Sequence, residues 1–353
     1  MNMADFKFNF TDEGEEREEA SSVPTPDRKP TCGTGETARD IVAQEIFVQP
    51  FHVTLLEHLS STCEYEVPGT HPRLTLKYVN AGHITRAIHV STGANFKVLE
   101  SNTNQSGSGI ENVTSHATIP CVQTHELQLL HQLIDTHHSD LISGVYEGGL
   151  KVWECAFDLT KYMAESGFEF QGQRVLELGC GVGLPGLLAL VSGAACVHFQ
   201  DYNQEVVKFV TIPNVLLNEN RTQRGTSGTR SGTFVTSQCR FYAGDWSDFT
   251  ALVKPSRGCA ENTPYDIILT SETIYSAASQ PKLLTALKNL INPLNGVVFV
   301  AAKCHYFGVG GSVQMFQELV ETDGFFSFSK CKTFESNVPR TIMRLEPNQP
   351  QKL

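Results

Sequence analysis

The sequence predicts an α/β fold, a mainly parallel sheet with helices on both faces, and three observations carry that prediction. Short apolar runs alternate with helix-like runs through about the last 210 of the 353 residues, the rhythm of successive β-α units. The apolar runs lack polar alternation, as strands buried on both faces do. One junction, VLELGCGVGLPG at 175–186, reads as a strand, a glycine turn and a helix start, the geometry that grips nucleotides in wound sheets.

Taken in order, strands are expected at 174–178, 196–200, 239–242, 266–270 and 297–302, and helices at 184–192, 204–218, 280–291 and 313–322. The runs FFSFSKCKTF and RTIMRL, between 325 and 345, lie close enough in sequence to pair antiparallel and add one reversed strand. Residues 218–234, NENRTQRGTSGTRSGTF, break the rhythm and read as a surface insertion. The body is placed at 137–346, with a tail at 347–353. Residues 1–136 read as a leader, mostly disordered or partly docked, because they combine an acidic start, a Pro/Gly-rich patch and the spacer SNTNQSGSG. Within it LTLKYV, AIHVST and NFKVLE alternate as short strands do and are the parts able to dock.

Composition excludes some functions. With 27 Lys and Arg against 38 Asp and Glu, the formal charge is −11, which argues against nucleic-acid binding through a basic surface and favours a basic partner. The N-terminal MNMADFKFNFTDEGEEREEA has neither the basic nor the apolar region of a signal peptide. No run of about 18 apolar residues is present to span a membrane, so a soluble intracellular protein is expected. The 10 cysteines form no C-x-x-C pair, and ten of the 12 histidines lie scattered before Leu141. Reduced thiols and exposed polar histidines are expected, and no metal site.

Ligands in wound sheets lie beyond the carboxyl ends of the strands, so the residues there are the candidates. Gly179, Gly181 and Gly183 follow the first strand and let a ligand approach the backbone N–H groups. Their even spacing, with Gly186 out of register, does not give the G-x-G-x-x-G of a dinucleotide site. Asp201, about twenty residues on, suits a ribose, its alternative being a helix cap. Asp245 and Trp246 offer a carboxylate and an aromatic face for a purine, or else a cap and a core residue. After the fourth strand, LTSETIY places Glu272, with Tyr275 three residues on, at the best catalytic position in the chain; capping of a following helix is the alternative.

The set VLELGCGVG, FQDYN, GDW and LTSETIY resembles class I, seven-strand S-adenosylmethionine-dependent methyltransferases. The Glu-x-x-Tyr pattern is similar to the protein-modifying branch that includes lysine methyltransferases. More narrowly, HSDLISGVYEGGLKVWECAFDL and CHYFGVGG resemble the histidine protein methyltransferase 1 family, over about the last 210 residues. The resemblance implies a Rossmann-like sheet, mostly parallel with one antiparallel strand, and S-adenosylmethionine as cofactor. It implies cofactor contacts at Val152, Trp153, Glu154, Cys155 and Ala156, at Gly179, at Gln200, Asp201 and Tyr202, at Gly244, Asp245 and Trp246, and at Ser271. It further implies a target histidine in a large-subunit ribosomal protein, methylated on the ring nitrogen farther from the backbone, in cytoplasm, nucleus or nucleolus. The insertion carries only Arg221, Arg224 and Arg230 where some relatives have a denser basic cluster, so autonomous nuclear import is not expected.

In this reading Glu272 accepts the N–H of the near ring nitrogen and leaves the far nitrogen facing the methyl group. Tyr275, His305 and Tyr306 line the substrate mouth, with core packing the alternative for the tyrosines and a structural role for His305. Three rival functions stay open at this level. A lysine or small-molecule methyltransferase shares the cofactor features, a nicotinamide oxidoreductase needs a pyrophosphate site, and a cofactor-binding chaperone or assembly factor for a basic ribosomal protein would leave methylation secondary.

Overall fold

The protein is described by a computed structural model, which covers residues 42–57, 59, 61–70, 73–79, 141–219, 236–253 and 263–348. In chain order these give β1 (Gln44–Ile46), α1 (Pro50–Glu57), β2 (Cys63–Val67), β3 (Leu74–Tyr78), α2 (Glu154–Glu165), β4 (Arg174–Leu178), α3 (Leu184–Val191) and β5 (Cys196–Asp201). A helix α4 follows, running from Gln204–Val206 through a π-helical stretch, Val207–Thr211, into Ile212–Asn218. Then come β6 (Cys239–Ala243), α5 (Trp246–Val253), β7 (Ile267–Ser271), α6 (Gln280–Leu290), β8 (Val297–Lys303), α7 (Val313–Asp323), β9 (Phe326–Phe334) and β10 (Arg340–Pro347).

Eight strands make one sheet in the order β1-β6-β5-β4-β7-β8-β10-β9. Strands β4 to β8 are parallel, and β10 runs antiparallel to both β8 and β9. That is the expected seven-strand sheet with one reversed strand, and β1 adds an eighth, antiparallel to β6. Because successive side chains point to opposite faces, β4, β6, β7, β8 and β10 feed two cores. Val175, Phe199 and Phe299 pack with Leu159, Leu187 and Phe209 of α2, α3 and α4. Leu176, Ile268 and Val300 pack with Phe249, Leu287 and Phe316 of α5, α6 and α7. Glu177, buried between these elements, accepts the Gly186 N–H at 2.8 Å and ties α3 to β4; burial raises its carboxyl well above the ordinary value.

The body begins earlier than His137. The described residues between 42 and 79, assigned to the leader by composition, are built into it: β1 pairs Gln44 with Ala243, Phe51 meets Phe209 at 6.0 Å, and Tyr65 meets Phe157 at 4.9 Å. Asn214 accepts the Val79 N–H at 2.7 Å, and the Asn218 amide donates to the Lys77 carbonyl, so β3 is fastened to α4. Of the three strand-like runs in the leader, LTLKYV supplies β3; the other two lie outside the described residues, as does most of the insertion before Phe234. His52 corrects the expectation of exposed histidines. It is fully buried, its ring nitrogen accepts the Gln49 N–H at 2.8 Å, and burial lowers its pKa to about 4.

Candidate active site

The strand order reverses direction at β4, whose neighbours β5 and β7 lead to helices on opposite faces. Such a switch point opens a crevice at the carboxyl ends of the strands. A cavity of about 320 Å³ lies there. Its floor is the glycine turn after β4, in which Gly179, Gly181 and Gly183 have φ of 62°, 49° and 80°. A side chain at Gly179 would place its Cβ 2.5 Å from the Thr273 methyl, and one at Gly181 would lie 3.2 Å from the Gly149 carbonyl. The turn is held from beneath by Asp201 Oδ2, which accepts the Gly181 N–H at 2.9 Å, and by Thr211, which donates to the Gly181 carbonyl at 2.7 Å. Thr211 ends the π-helical stretch, so this irregularity in α4 places a hydroxyl under the turn.

A strap, residues 141–153, forms one wall. Asn203 holds it from both sides, accepting the Glu147 N–H at 3.0 Å and donating to the Val145 carbonyl at 2.7 Å. Tyr202 donates to the Gly144 carbonyl at 3.0 Å, and Tyr275 donates its phenol to Glu147 Oε2. Burial and the Glu147 charge hold the Tyr275 phenol far above the ordinary value. The strap ends at Trp153, whose indole N–H donates to the Gly148 carbonyl at 3.1 Å.

Glu272 stands on the opposite wall. Among the described residues it is the only non-glycine with a left-handed backbone, φ 58°, a strained conformation that persists where its surroundings enforce it. Tyr306 donates to its Oε2 at 2.6 Å, and Lys303 Nζ lies 3.5 Å from its Oε1. No helix follows directly: α6 begins at Gln280, eight residues on, so the capping role for Glu272 is excluded.

The structure places the candidates in two groups. Val152, Trp153, Ala156, Gly179, Gly181, Asp201, Tyr202, Asp245, Trp246, Ser271, Glu272 and Tyr275 line the cavity. Asp201 is not the cap of α4, since both its oxygens are spent on the Gly181 and Asn203 N–H groups. Asp245 both lines the cavity and opens α5 by accepting the Ser247 N–H at 2.9 Å, and it also accepts from Lys282 at 2.8 Å.

The others lie off the cavity lining. Gln200 is fully buried and works from behind, accepting the Trp246 indole N–H at 3.1 Å and donating to the Gly244 carbonyl at 2.7 Å. Glu154 turns to Lys303 at 3.1 Å, and Cys155 is buried. Gly183 precedes α3 and abuts Phe199, while Gly244 abuts Ala43 of the segment leading into β1. His305 is exposed outside the cavity, and Tyr306 supports Glu272 instead of forming a wall. Sequence reasoning missed Glu147, Asn203, Thr211 and Lys303. Glu147 lies within the strap motif GVYEGGLKVWE, the one signal that pointed near it.

The lining fits a positively charged nucleoside. Four acidic residues, Glu147, Asp201, Asp245 and Glu272, line the cavity against two lysines, Lys151 and Lys282, and Lys282 is already bound to Asp245. Trp153, Tyr202 and Trp246 offer aromatic faces. A pyrophosphate would instead meet carboxylates and find the Gly181 N–H taken by Asp201. A mostly parallel sheet with a reversed penultimate strand, a glycine cradle at its switch point and an acidic, aromatic lining define an α/β methyltransferase fold.

Residues 138–308 match the family model described as lysine methyltransferase. The histidine protein methyltransferase 1 homolog of Bos taurus is 43% identical over 217 residues, covering 59% of this chain and 57% of the relative. The homolog of Dictyostelium discoideum is 41% identical over 183 residues, covering 52% of each. Histidine protein methyltransferase 1 of Schizosaccharomyces pombe is 34% identical over 240 residues, covering 60% of this chain and 68% of the relative. The chain belongs to the histidine protein methyltransferase 1 family, and it spans a little under three fifths of the bovine relative.

Proposed function

We propose that this protein transfers a methyl group from S-adenosylmethionine to a histidine side chain of a protein. The acceptor in this reading is the far ring nitrogen of a histidine in a large-subunit ribosomal protein. One observation carries it beyond family membership: Glu272, with a strained backbone and a side chain 7% exposed, lines the cavity that the glycine turn opens. The bound cofactor supplies an electrophilic methyl group and its own leaving group. The protein's work is therefore to position and desolvate the nucleophile.

Much of an imidazole is already neutral near pH 7, but the correct nitrogen must hold the lone pair. Glu272 accepts the N–H of the near nitrogen, which turns the lone pair of the far nitrogen toward the methyl group. Tyr306 fixes the carboxylate through its 2.6 Å hydrogen bond, and Tyr275 at the rim gives the ring an aromatic wall. The glycine turn, as floor, and the strap, as one wall, would hold the cofactor. A net charge of −11 suits a basic ribosomal protein as partner, and such a partner places the reaction in the cytoplasm or nucleus. Among the described residues no helix is long and apolar enough to cross a membrane.

The test is incubation of the purified chain and methyl-labelled S-adenosylmethionine with ribosomal proteins from cells lacking it, followed by mass spectrometry and assignment of the modified atom. Label on the far nitrogen of one histidine of a large-subunit protein is the expected result. Label on lysine would keep the cofactor and overturn the substrate, and partner binding without label would favour an assembly factor.

A further inference from the structure

Lys303 ends β8 with its side chain 7% exposed, and the two nearest carboxylates come from different elements. Its Nζ lies 3.1 Å from Glu154 Oε2 at the start of α2 and 3.5 Å from Glu272 Oε1, and sits 5.0 Å above the Trp153 ring. Its backbone N–H donates to the Tyr306 hydroxyl at 3.1 Å, and that hydroxyl donates on to Glu272 at 2.6 Å. One residue thus sets both supports of the Glu272 carboxylate, one by charge and one by hydrogen bond. Glu272 Oε1 is sealed from solvent and has no hydrogen-bond donor among the described residues.

We propose that Lys303 is a positioning residue of this site, holding Glu272 as a charged acceptor at the cavity wall, with Glu154 competing for the same ammonium. This rests on the reading of Glu272 as the group that orients the acceptor ring. An acceptor role needs an ionised carboxylate, and burial alone favours the neutral acid. The groups facing Glu272 are few. Lys303 comes from β8, Tyr306 from the segment after it, and Glu154 and Cys155 from α2; Asp158, farther along α2, is paired with Arg340 of β10 at 2.5 Å. Lys303 is the cation nearest the carboxylate. Burial favours its neutral amine, yet Glu272 and Glu154 outweigh burial and raise its pKa above the ordinary lysine value. Glu154 stands 46% exposed at the side chain, so the competitor sits at the surface, where its removal spares the core.

The experiment follows the carboxyl stretch of Glu272 by difference infrared spectroscopy across pH, with Glu272→Gln as blank, in the full chain without substrate. The pH profile of kcat on ribosomal proteins from cells lacking the enzyme is measured beside it. In Lys303→Met the midpoint of Glu272 should rise by about one pH unit or more, the size expected for losing an opposite charge at this distance. In Glu154→Gln it should fall, because a like charge is gone and Lys303 is left to Glu272. The acid limb of kcat should move with each midpoint, while cofactor affinity by calorimetry stays within about twofold.

A midpoint fixed in Lys303→Met, or moved the same way in both variants, overturns the proposal. So does a uniform loss of kcat at every pH with the midpoint unmoved, the mark of a merely structural role. If Lys303→Met does not fold, Glu154→Gln decides alone, and a midpoint that stays or rises overturns the proposal. Wild-type kcat in Glu272→Gln would instead overturn the reading of Glu272, whatever the midpoints do.

Discussion

The Asp201 carboxylate accepts the Gly181 N–H at 2.9 Å across two strand ends, so the acid at the end of β5 fixes the turn after β4. The contact takes charge out of water, and the pKa records it. Burial raises Asp201 to about 6, even though N–H groups of Gly181, Asn203 and Tyr202 pull the other way.

The sign of the resulting pH dependence follows directly. The folded carboxyl is harder to ionise than the unfolded one, so between about pH 4 and 6 the native state binds more protons, and this group's contribution to stability falls as pH rises. With an unfolded value near 3.9 the penalty reaches about 2–3 kcal/mol above pH 6. Asp201→Asn should remove it. Denaturant unfolding of both forms at pH 4.5 and pH 7 should show wild type gaining on the variant at the lower pH; a difference independent of pH would refute the assignment.

The left-handed turn makes a second prediction. Gly179→Ala brings both a φ of 62° and a Cβ 2.5 Å from the Thr273 methyl, and the two penalties are separable. Together they should lower stability by about 1–3 kcal/mol and weaken S-adenosylmethionine binding at least tenfold by calorimetry. Adding Thr273→Ser removes the methyl and keeps a hydroxyl for the 2.7 Å bond to Thr270. The double variant should recover part of the stability, and no recovery would locate the whole cost in the backbone.

Glu272 and Tyr306 should separate chemistry from binding. Glu272→Gln keeps the volume and loses the charged acceptor, so kcat should fall by roughly 100-fold, the low end for a positioned acid-base group, with cofactor affinity near wild type. Tyr306→Phe strips the carboxylate of its 2.6 Å donor and should lower kcat less than that, with a stability loss of about 1–3 kcal/mol. A large loss of cofactor affinity in Glu272→Gln would remove Glu272 from the catalytic role.

The strap gives the opposite split. Tyr275→Phe frees Glu147 from its partner on the far wall, loosening the 141–153 segment at one of its ties. KM for the cofactor should rise severalfold with kcat changed less than twofold, and limited proteolysis should cut the strap faster. Equal proteolysis rates would mean that Asn203 and Tyr202 suffice to hold it.

Much of this architecture is legible in the sequence. The five parallel strands declare themselves as apolar runs such as VLEL and VVFVAA, because burial on both faces leaves no polar alternation to confuse them. The glycine turn, Asp201 and Glu272 sit where strands stop, a position that apolar patterning marks sharply. Other residues are hidden because their partners are distant in sequence. Gln200 faces backward onto Trp246, 46 residues on, and Glu154 finds Lys303, 149 residues away. Lys303 carries no local sign of function, since a lysine ending an apolar strand ordinarily reaches solvent. The strand β1 is three residues long, and nothing in AQEIF distinguishes it from a linker; its register is set by β6.

That short strand has a consequence for where the chain can be cut. It covers the free edge of β6, an edge whose unpaired backbone groups would otherwise template the addition of another chain. It also brings Ala43 against Gly244, the residue next to the cavity-lining Asp245. A chain trimmed to the alternating body at residue 137 would therefore lose its guard against self-association and the buttress behind one end of the ligand cavity in the same stroke.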